Sequence, residues 1–574
     1  ASCLVGSEMC IRDSAISFDM TSFNNARIVR GPETLLYGSN TIGGVIDVSR
    51  QSNLNLRFKK LSFLSLVGAE SSNNGSFANL TIYVPIKGAM LDSNYELKPT
   101  VNHQFKFSLL HRNADNQTTP LGVLENTGLS NDELAASYSF FGSAHRTTIS
   151  YEQLKMDYGL PGSPEGHIDG VNLKMDKHSQ KLNHHRDISF LNFQTFDLDQ
   201  RFINYNHSEF VTGSNFASVS MGQNLFSLQG KLAGEQLTLG SLVQYRDFRA
   251  GGFYWTPDTE EIRVSLFGLF QKNINKTTLQ FSSRFEYLSI VPETSFLFMS
   301  NLDESEIRNR DFTIATSSIG LFRSWDNLDF SLATMITGRA PDLDELYSDG
   351  PHLGTYSYEI GQPNLNLERT IGIEGSVDYN IYKGQIKLTG YHNYSPNYHI
   401  STALGNTYEP GANWIEWGSG SSGWLYKYQM KGLEAQIYGW ESDFMFPINK
   451  KVNLIGSTSV VRGRNLSQDR DLEYMPPDKI QLLTEFDFKP LAIGLNIKKV
   501  FPQTRLGEFE TKTGGYIVLD ITGSYTIRLS KLSHKFIFQI DNVSNEVYYN
   551  HLSRIKSVMP EKRQSISIQY RLTL

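Results

Sequence analysis

The chain has 574 residues, 53 Lys and Arg against 59 Asp and Glu, and a formal net charge of -6. That mildly acidic balance, without basic clusters, gives nucleic-acid binding no support. The length would suit about three or four soluble domains, yet no linker, low-complexity segment or fixed-period repeat divides it. No stretch approaches the ~18 consecutive apolar residues of a transmembrane helix. A membrane β-barrel stays open, because strands that alternate lipid-facing and lumen-facing residues read as hydrophilic on average.

Taken from the N-terminus, the opening ASCLVGSEMCIRDS holds both cysteines, Cys3 and Cys10. The thiol-free remainder is common in exported chains. The opening lacks the basic and apolar regions of a signal peptide. It resembles translated sequencing-adapter read-through, so residues 1–14 are expected to be a foreign leader, with the native N-terminus missing. Residues 27–50, RIVRGPETLLYGSNTIGGVIDVSR, then place Gly31, Gly38, Gly43 and Gly44 within fourteen residues, ahead of the alternating run Val45-Ile46-Asp47-Val48. Such spacing predicts tight turns with backbone passing close to backbone, then a short strand. This nub has too little apolar surface to offset its ordering entropy, so it must pack inside something larger.

From about Asn53 one pattern recurs: eight to twelve alternating residues, a short polar turn, another such run, then a longer loop. Phe105–Leu109, Thr278–Phe281, Gln385–Thr389, Leu519–Thr522 and Lys535–Asp541 are examples, and Ser565–Leu572 is the strictest. Period two over so many segments predicts strands with one apolar and one polar face. Short turns at Tyr382-Lys383-Gly384, Ile448-Asn449-Lys450 and Leu529-Ser530-Lys531 alternate with long loops around 157–190, 340–368, 401–430, 462–478 and 545–562. Short turns at one end and long loops at the other describe an outer-membrane barrel. A soluble β-sandwich also alternates, but ~520 residues of it without a domain break would be unusual. The expected fold is all-β: a transmembrane antiparallel barrel of about 22 strands.

The blocks Arg30-Gly31-Pro32, Leu36-Tyr37-Gly38 and Gly43-Gly44-Val45-Ile46-Asp47-Val48 resemble the last part of the plug domain of TonB-dependent outer-membrane receptors. Asp541–Tyr549 is similar to that family's penultimate strand end, and Ser565–Leu572 to its last strand, although this chain ends on Leu574 where the family usually has an aromatic residue. Beyond the expected leader at 1–14, the resemblance implies a partial plug at 15–52 inside a barrel at 53–574, and location in the Gram-negative outer membrane. It also implies plug–barrel contacts at Arg30, Gly31, Tyr37, Gly43 and Gly44, with Arg30 pairing to acidic residues of the wall. Energy would come from the TonB-ExbB-ExbD complex, although the segment that would engage TonB has no counterpart here.

Two loops resemble substrate-binding regions of the family. Gly338-Arg339-Ala340-Pro341 and Gly361-Gln362-Pro363-Asn364-Leu365 look like the paired boxes of haem receptors, with Gly338 and Gln362 replacing the usual Phe and Asn. Between them, His352 would be an axial iron ligand through its neutral imidazole, with Tyr347 nearby. In siderophore and zinc receptors the same boxes can serve only to shape the loop. His167, Asp169, His178, His184 and His185 resemble the His/Asp run of zinc-type receptors; nitrogen and carboxylate ligands suit zinc, but their spacing is irregular and a polar external loop explains them equally. Tyr408, Trp414, Trp417 and Trp424 form an aromatic cluster suited to a flat or catecholate ligand, or to the membrane-interface girdle.

The expected function is active import of a scarce metal complex, foremost an iron chelate such as a siderophore or haem. A zinc importer of the same family and a passive diffusion porin are the alternatives, the porin disfavoured by the plug blocks. No nucleophile–base motif marks an enzyme, no nucleotide-binding loop is present, and no resident cofactor is expected. The expected partners are the energy-coupling complex, the metal-chelate substrate and outer-membrane lipid.

Overall fold

Alternating side chains place every second residue on the same face of a strand, and neighbouring strands of this kind close here on themselves. In the computed structural model, which describes residues 19, 21, 25–49, 57–91, 97–163, 168–252, 256–294, 302–352, 357–404, 414–416, 424–508 and 510–574, they form a closed antiparallel barrel of 22 strands. The first strand, Ser62–Glu70, pairs with the last, Ser565–Thr573, in the register Leu64↔Thr573 to Glu70↔Ser567. Closure leaves no open edge, as hydrocarbon demands of any sheet that crosses it.

The turns at one end are short. Leu191, Asn275, Tyr382 and Ser530 each open a two-residue turn at φ between 51° and 56°, the left-handed backbone that suits the twist of a tight hairpin. Leu574 donates its N–H to Phe63 O at 3.1 Å, so the C-terminus lies at this end. The expected loops at 340–368 and 545–562 lie at the other end. The expected loop at 157–190 is corrected: strands His145–Leu160 and Val171–Phe190 fill most of it. Strand Gly384–Ala403 likewise runs into the expected 401–430 loop, and strand Trp424–Asn449 begins inside it.

The strand Val171–Phe190 explains that error. Near the long-loop end its buried residues are Val171, Leu173 and Met175, which face inward. Toward the short-turn end the apolar residues lie on the opposite face, where Leu182 pairs with Ile149 and Ile149 is 55% exposed. Register runs unbroken from Val171 to Asp187, so the apolar face changes sides without a bulge. The physical cause is a change of surroundings: lipid lies outside the lower barrel, whereas an apolar core lies inside the upper one. That core joins wall residues such as Val219, Leu288, Ile290 and Ile314 to Leu343, Leu346 and Tyr347 of the short helix Leu343–Tyr347, and to Ile555 of the loop at 542–564. Each such side chain, once buried, contributes about 1.5–3 kcal/mol.

Inside the barrel, strands Asn25–Val29 and Val45–Ser49 pair antiparallel, with a 3-10 helix, Gly31–Leu36, between them. Gly31 has φ +69°, and a Cβ there would meet the Phe322 ring at 3.6 Å; Gly44 has φ +103° and would meet Val29 O at 3.0 Å. Gly31 is thus called for by its left-handed backbone, the wall being at ordinary contact distance, and Gly44 by its backbone and by the close approach of Val29 O within the segment.

Candidate functional site

The inner segment is tied to the wall by charge. Arg30 Nη2 lies 2.8 Å from Glu441 Oε2 on strand Trp424–Asn449, with the carboxylates of Glu374 and Asp443 adding to the field. Asp19 accepts from Arg112 at 2.6 Å, and its backbone N–H donates to Glu133 at 3.0 Å. Ser39 approaches Glu286 at 3.4 Å, which also holds Arg263 at 3.1 Å. Among the residues expected at this contact, Arg30 and Gly31 meet the wall, whereas Gly44 packs within the segment. Tyr37, at 44%, and Gly43 are exposed.

At the mouth, the two boxes prove to be fasteners of the loop between them. Arg339 forms a fork on Glu345, at 2.7 and 2.9 Å, and also reaches Glu368 at 2.9 Å and His399 Nδ1 at 3.0 Å. Glu345 accepts the N–H of Asp342 at 3.0 Å, holding the first turn of the helix Leu343–Tyr347. Burial alone would raise the Glu345 carboxyl, but the Arg339 charge holds it well below the usual range. In the second box, Gln362 N–H donates to Glu345 O at 2.8 Å, and Arg310 donates to the carbonyls of Pro363 and Leu365.

Tyr347 is fully buried and donates its hydroxyl to Arg308 O at 3.1 Å; it belongs to the core, a correction to its expected role beside a ligand. His352 ends a small hairpin, Asp349–His352 with Ser357–Ile360, whose second strand runs parallel to Trp424–Asn449. It is 5% exposed, with Nδ1 3.0 Å from Glu359 Oε1, and Arg554 reaches the same carboxylate at 3.4 Å. Burial pushes Glu359 up, but His352 and Arg554 bring its carboxyl down to about 2.

The expected zinc residues are not brought together. His178 and His184 lie on the outward face, bonded to Tyr151 and Thr147, whereas His185 points inward to Asp197 at 2.6 Å. Consecutive residues of one strand point to opposite faces, so His184 and His185 cannot converge on one ion. Asp169 is exposed in the loop at 161–170. His167, Tyr408 and Trp417 lie outside the described residues. Backbone register pairs Trp414 with Tyr426 and Glu416 with Trp424. Among the described residues, no group of three or more His, Cys, Asp or Glu is arranged to hold a metal.

Residues that the sequence did not single out complete the mouth. Glu510 takes His551 Nε2 at 2.7 Å and Lys556 at 3.2 Å, joining the loops at 501–515 and 542–564. Burial, with the nearby charge of Glu510, pushes the Glu473 carboxyl up to about 8. No local motif announces these residues, because each partner comes from a different loop.

Residues 32–545 match the family described as "TonB dependent receptor-like, beta-barrel". Among solved structures, the chain is similar to the copper transporter OprC, with TM-score 0.77 at 14% identity over 96% of this chain and 86% of that one. It is also similar to a mutant of the ferric enterobactin receptor PfeA from Pseudomonas aeruginosa, with TM-score 0.71 at 12% identity over 98% and 87%. The FrpB iron transporter from Neisseria meningitidis gives TM-score 0.71 at 12% identity over 96% and 88%. At these identities the likeness shows a shared fold. The family match spans most of the chain, and with the closed barrel it places the protein among the TonB-dependent receptors of the Gram-negative outer membrane.

Proposed function

We propose that the protein imports an iron chelate, a siderophore or haem, across the outer membrane with energy from TonB-ExbB-ExbD. One observation carries the reading: the segment 25–49 sits in the lumen, tied to the wall by Arg30–Glu441, while the loop helix Leu343–Tyr347 packs into the mouth. A porin conducts through a water-filled lumen; a lumen occupied in this way suits a cargo admitted only when outside energy shifts the filling. The solved structures named for ferric enterobactin, iron and copper support a metal complex as the cargo class. Zinc gains less support, because the expected ligand histidines lie on opposite faces of one strand. Haem ligation by His352 requires that its hairpin first open, because the imidazole is 5% exposed, which favours a siderophore.

The test restores the gene to a receptor-deleted strain and measures uptake of iron-55 siderophores, haem and limiting zinc, with and without functional TonB. Uptake of one iron chelate that disappears with TonB is the expected result. Equal uptake in the TonB-deficient strain would overturn the reading.

A further inference from the structure

On the outward face beside the short turns, four rings from the strands Leu97–Ala114, Leu129–Phe141, His145–Leu160 and Val171–Phe190 lie side by side. The centroids of His103 and Phe140 are 5.3 Å apart, those of Phe140 and His145 5.5 Å, and those of His145 and His184 6.1 Å. Register accounts for the grouping: His103 pairs with Phe140, Phe140 with Thr147, and Thr147 with His184. Two residues nearer the turn, His145 pairs with Arg186. These positions share the face of Phe107, Leu109 and Ile149, which are 48%, 53% and 55% exposed toward lipid. A Cβ on Gly142 would strike the His145 ring, so that ring leans over the turn.

Outward histidines nearer the long loops have carboxylate partners. His111 Nδ1 lies 2.7 Å from Asp132. His178 takes the Tyr151 hydroxyl on Nδ1 at 2.8 Å and meets Asp176 with Nε2 at 3.1 Å. The lower histidines repeat the first half of that arrangement and lack the second. His103 Nδ1 takes the Tyr138 hydroxyl at 2.7 Å, and His184 Nδ1 takes that of Thr147 at 2.9 Å. A hydroxyl donating to Nδ1 leaves the ring proton on Nε2, so each ring keeps an N–H donor. Among the described residues, neither donor has an acceptor, His145 has no hydrogen-bond partner, and the exposed Arg186 has no ion pair. The flanking register partners Ile86, Leu198 and Phe196 are apolar.

A hydrated aromatic girdle explains rings at this depth. It does not explain why imidazole and guanidinium donors gather without one acid, on a wall that pairs its upper histidines with aspartate. An unpaired guanidinium at the edge of hydrocarbon is costly. A phosphate at headgroup depth would offset that cost through charge-assisted hydrogen bonds.

We propose that His145, His184 and Arg186 hold the phosphate of an anionic phospholipid in the inner leaflet, with His103, beyond the Phe140 ring, meeting the rest of its headgroup. The acyl chains then lie along the apolar face that Ile149 and Leu182 share. Position beside the short periplasmic turns selects the phospholipid leaflet over the lipopolysaccharide of the outer one. A zwitterionic headgroup would bring an ammonium that needs an acceptor, and the group offers no carboxylate; an anionic headgroup brings no such demand. The inference needs only the membrane location and does not depend on which chelate is imported.

The test titrates the full chain in detergent with phosphatidylglycerol, phosphatidylethanolamine and lipid A separately, and counts bound lipid by native mass spectrometry. The expected result is one phosphatidylglycerol retained in preference to phosphatidylethanolamine. His145→Gln with Arg186→Gln should weaken that binding at least about tenfold while the barrel keeps its heat-modifiability. Gly142→Ala, which displaces the His145 ring, should weaken it in the same direction. If the double variant fails to fold, Arg186→Gln alone, at an exposed position, replaces it. Equal retention of phosphatidylglycerol by parent and variants would overturn the site. So would retention of phosphatidylethanolamine as tight as that of phosphatidylglycerol, or of lipid A that the variants abolish.

Discussion

Arg30 and Glu441 stand 2.8 Å apart although 411 residues separate them in sequence. The pair joins the inner segment to the wall, and both side chains are about one-third exposed, at 36% and 34%. Exposed pairs of this kind contribute about 0.2–1 kcal/mol. Arg30→Ala should therefore leave the barrel folded and loosen only its filling. The expected outcome is a higher frequency of open events in planar-bilayer conductance, reversed by the swap Arg30→Glu with Glu441→Arg. Unchanged conductance in Arg30→Ala would show that other contacts hold the segment.

Glu345 is the centre of the buried network at the mouth. Glu345→Ala removes the fork from Arg339 and leaves that guanidinium with Glu368 and His399, at a cost of about 3–5 kcal/mol. The loss should fall on the loop at 340–367, because the strand ladders do not depend on it. Limited proteolysis should cut the variant within that loop while heat-modifiability of the barrel persists. Resistance equal to that of the parent would contradict the fastening role.

The hairpin holding His352 should be acid-sensitive. Glu359 titrates at about 2 in the fold against an ordinary 4.5. Its folded value is depressed, so its contribution is complete above about 4.5 and is lost as pH falls toward about 2. At 1.36 kcal/mol per unit the full effect is on the order of 3 kcal/mol. His352→Ala should move this loss to higher pH, read by hydrogen exchange of residues 349–352 and 357–360. If His352 ligates haem, the same variant should also weaken haem binding at neutral pH, where Glu359 remains ionised.

Glu473 behaves in the opposite sense. Its folded carboxyl titrates at about 8, above the unfolded value, so its contribution is complete below about 4.5 and declines as pH rises toward 8. Glu473→Gln should match the parent at pH 5 and be the more stable at pH 9, by about 1–3 kcal/mol after allowance for its partial exposure. Thermal unfolding at the two pH values measures this. A stabilisation that does not change with pH would rule out the ionisation as its cause.

Sidedness follows from the turns. Leu121, 66% exposed, lies at the long-loop end, and Tyr382, 105% exposed, lies at a two-residue turn. In a background with Cys3→Ser and Cys10→Ser, Leu121→Cys should react with an impermeant maleimide on intact cells, and Tyr382→Cys only after permeabilisation. The reverse pattern would invert the topology.

Period-two alternation, with short turns and long loops taking turns over ~520 unbroken residues, pointed to the barrel, and the Gly31 and Gly43-Gly44 blocks pointed to a segment folded within something larger, because these are local properties of backbone and side-chain spacing. The short turns were legible for the same reason. The extent of strand Val171–Phe190 was not, since its apolar face changes sides where the surroundings change from lipid to a core built by distant loops. Contacts between residues far apart in the chain were equally hidden. Nothing in the sequence around Arg339 names His399 as its partner, and His184-His185 looks like a pair until the strand sends its members to opposite faces. His103, His145, His184 and Arg186 share no motif; strand register alone brings them together, and register is decided by turns and faces along the whole barrel.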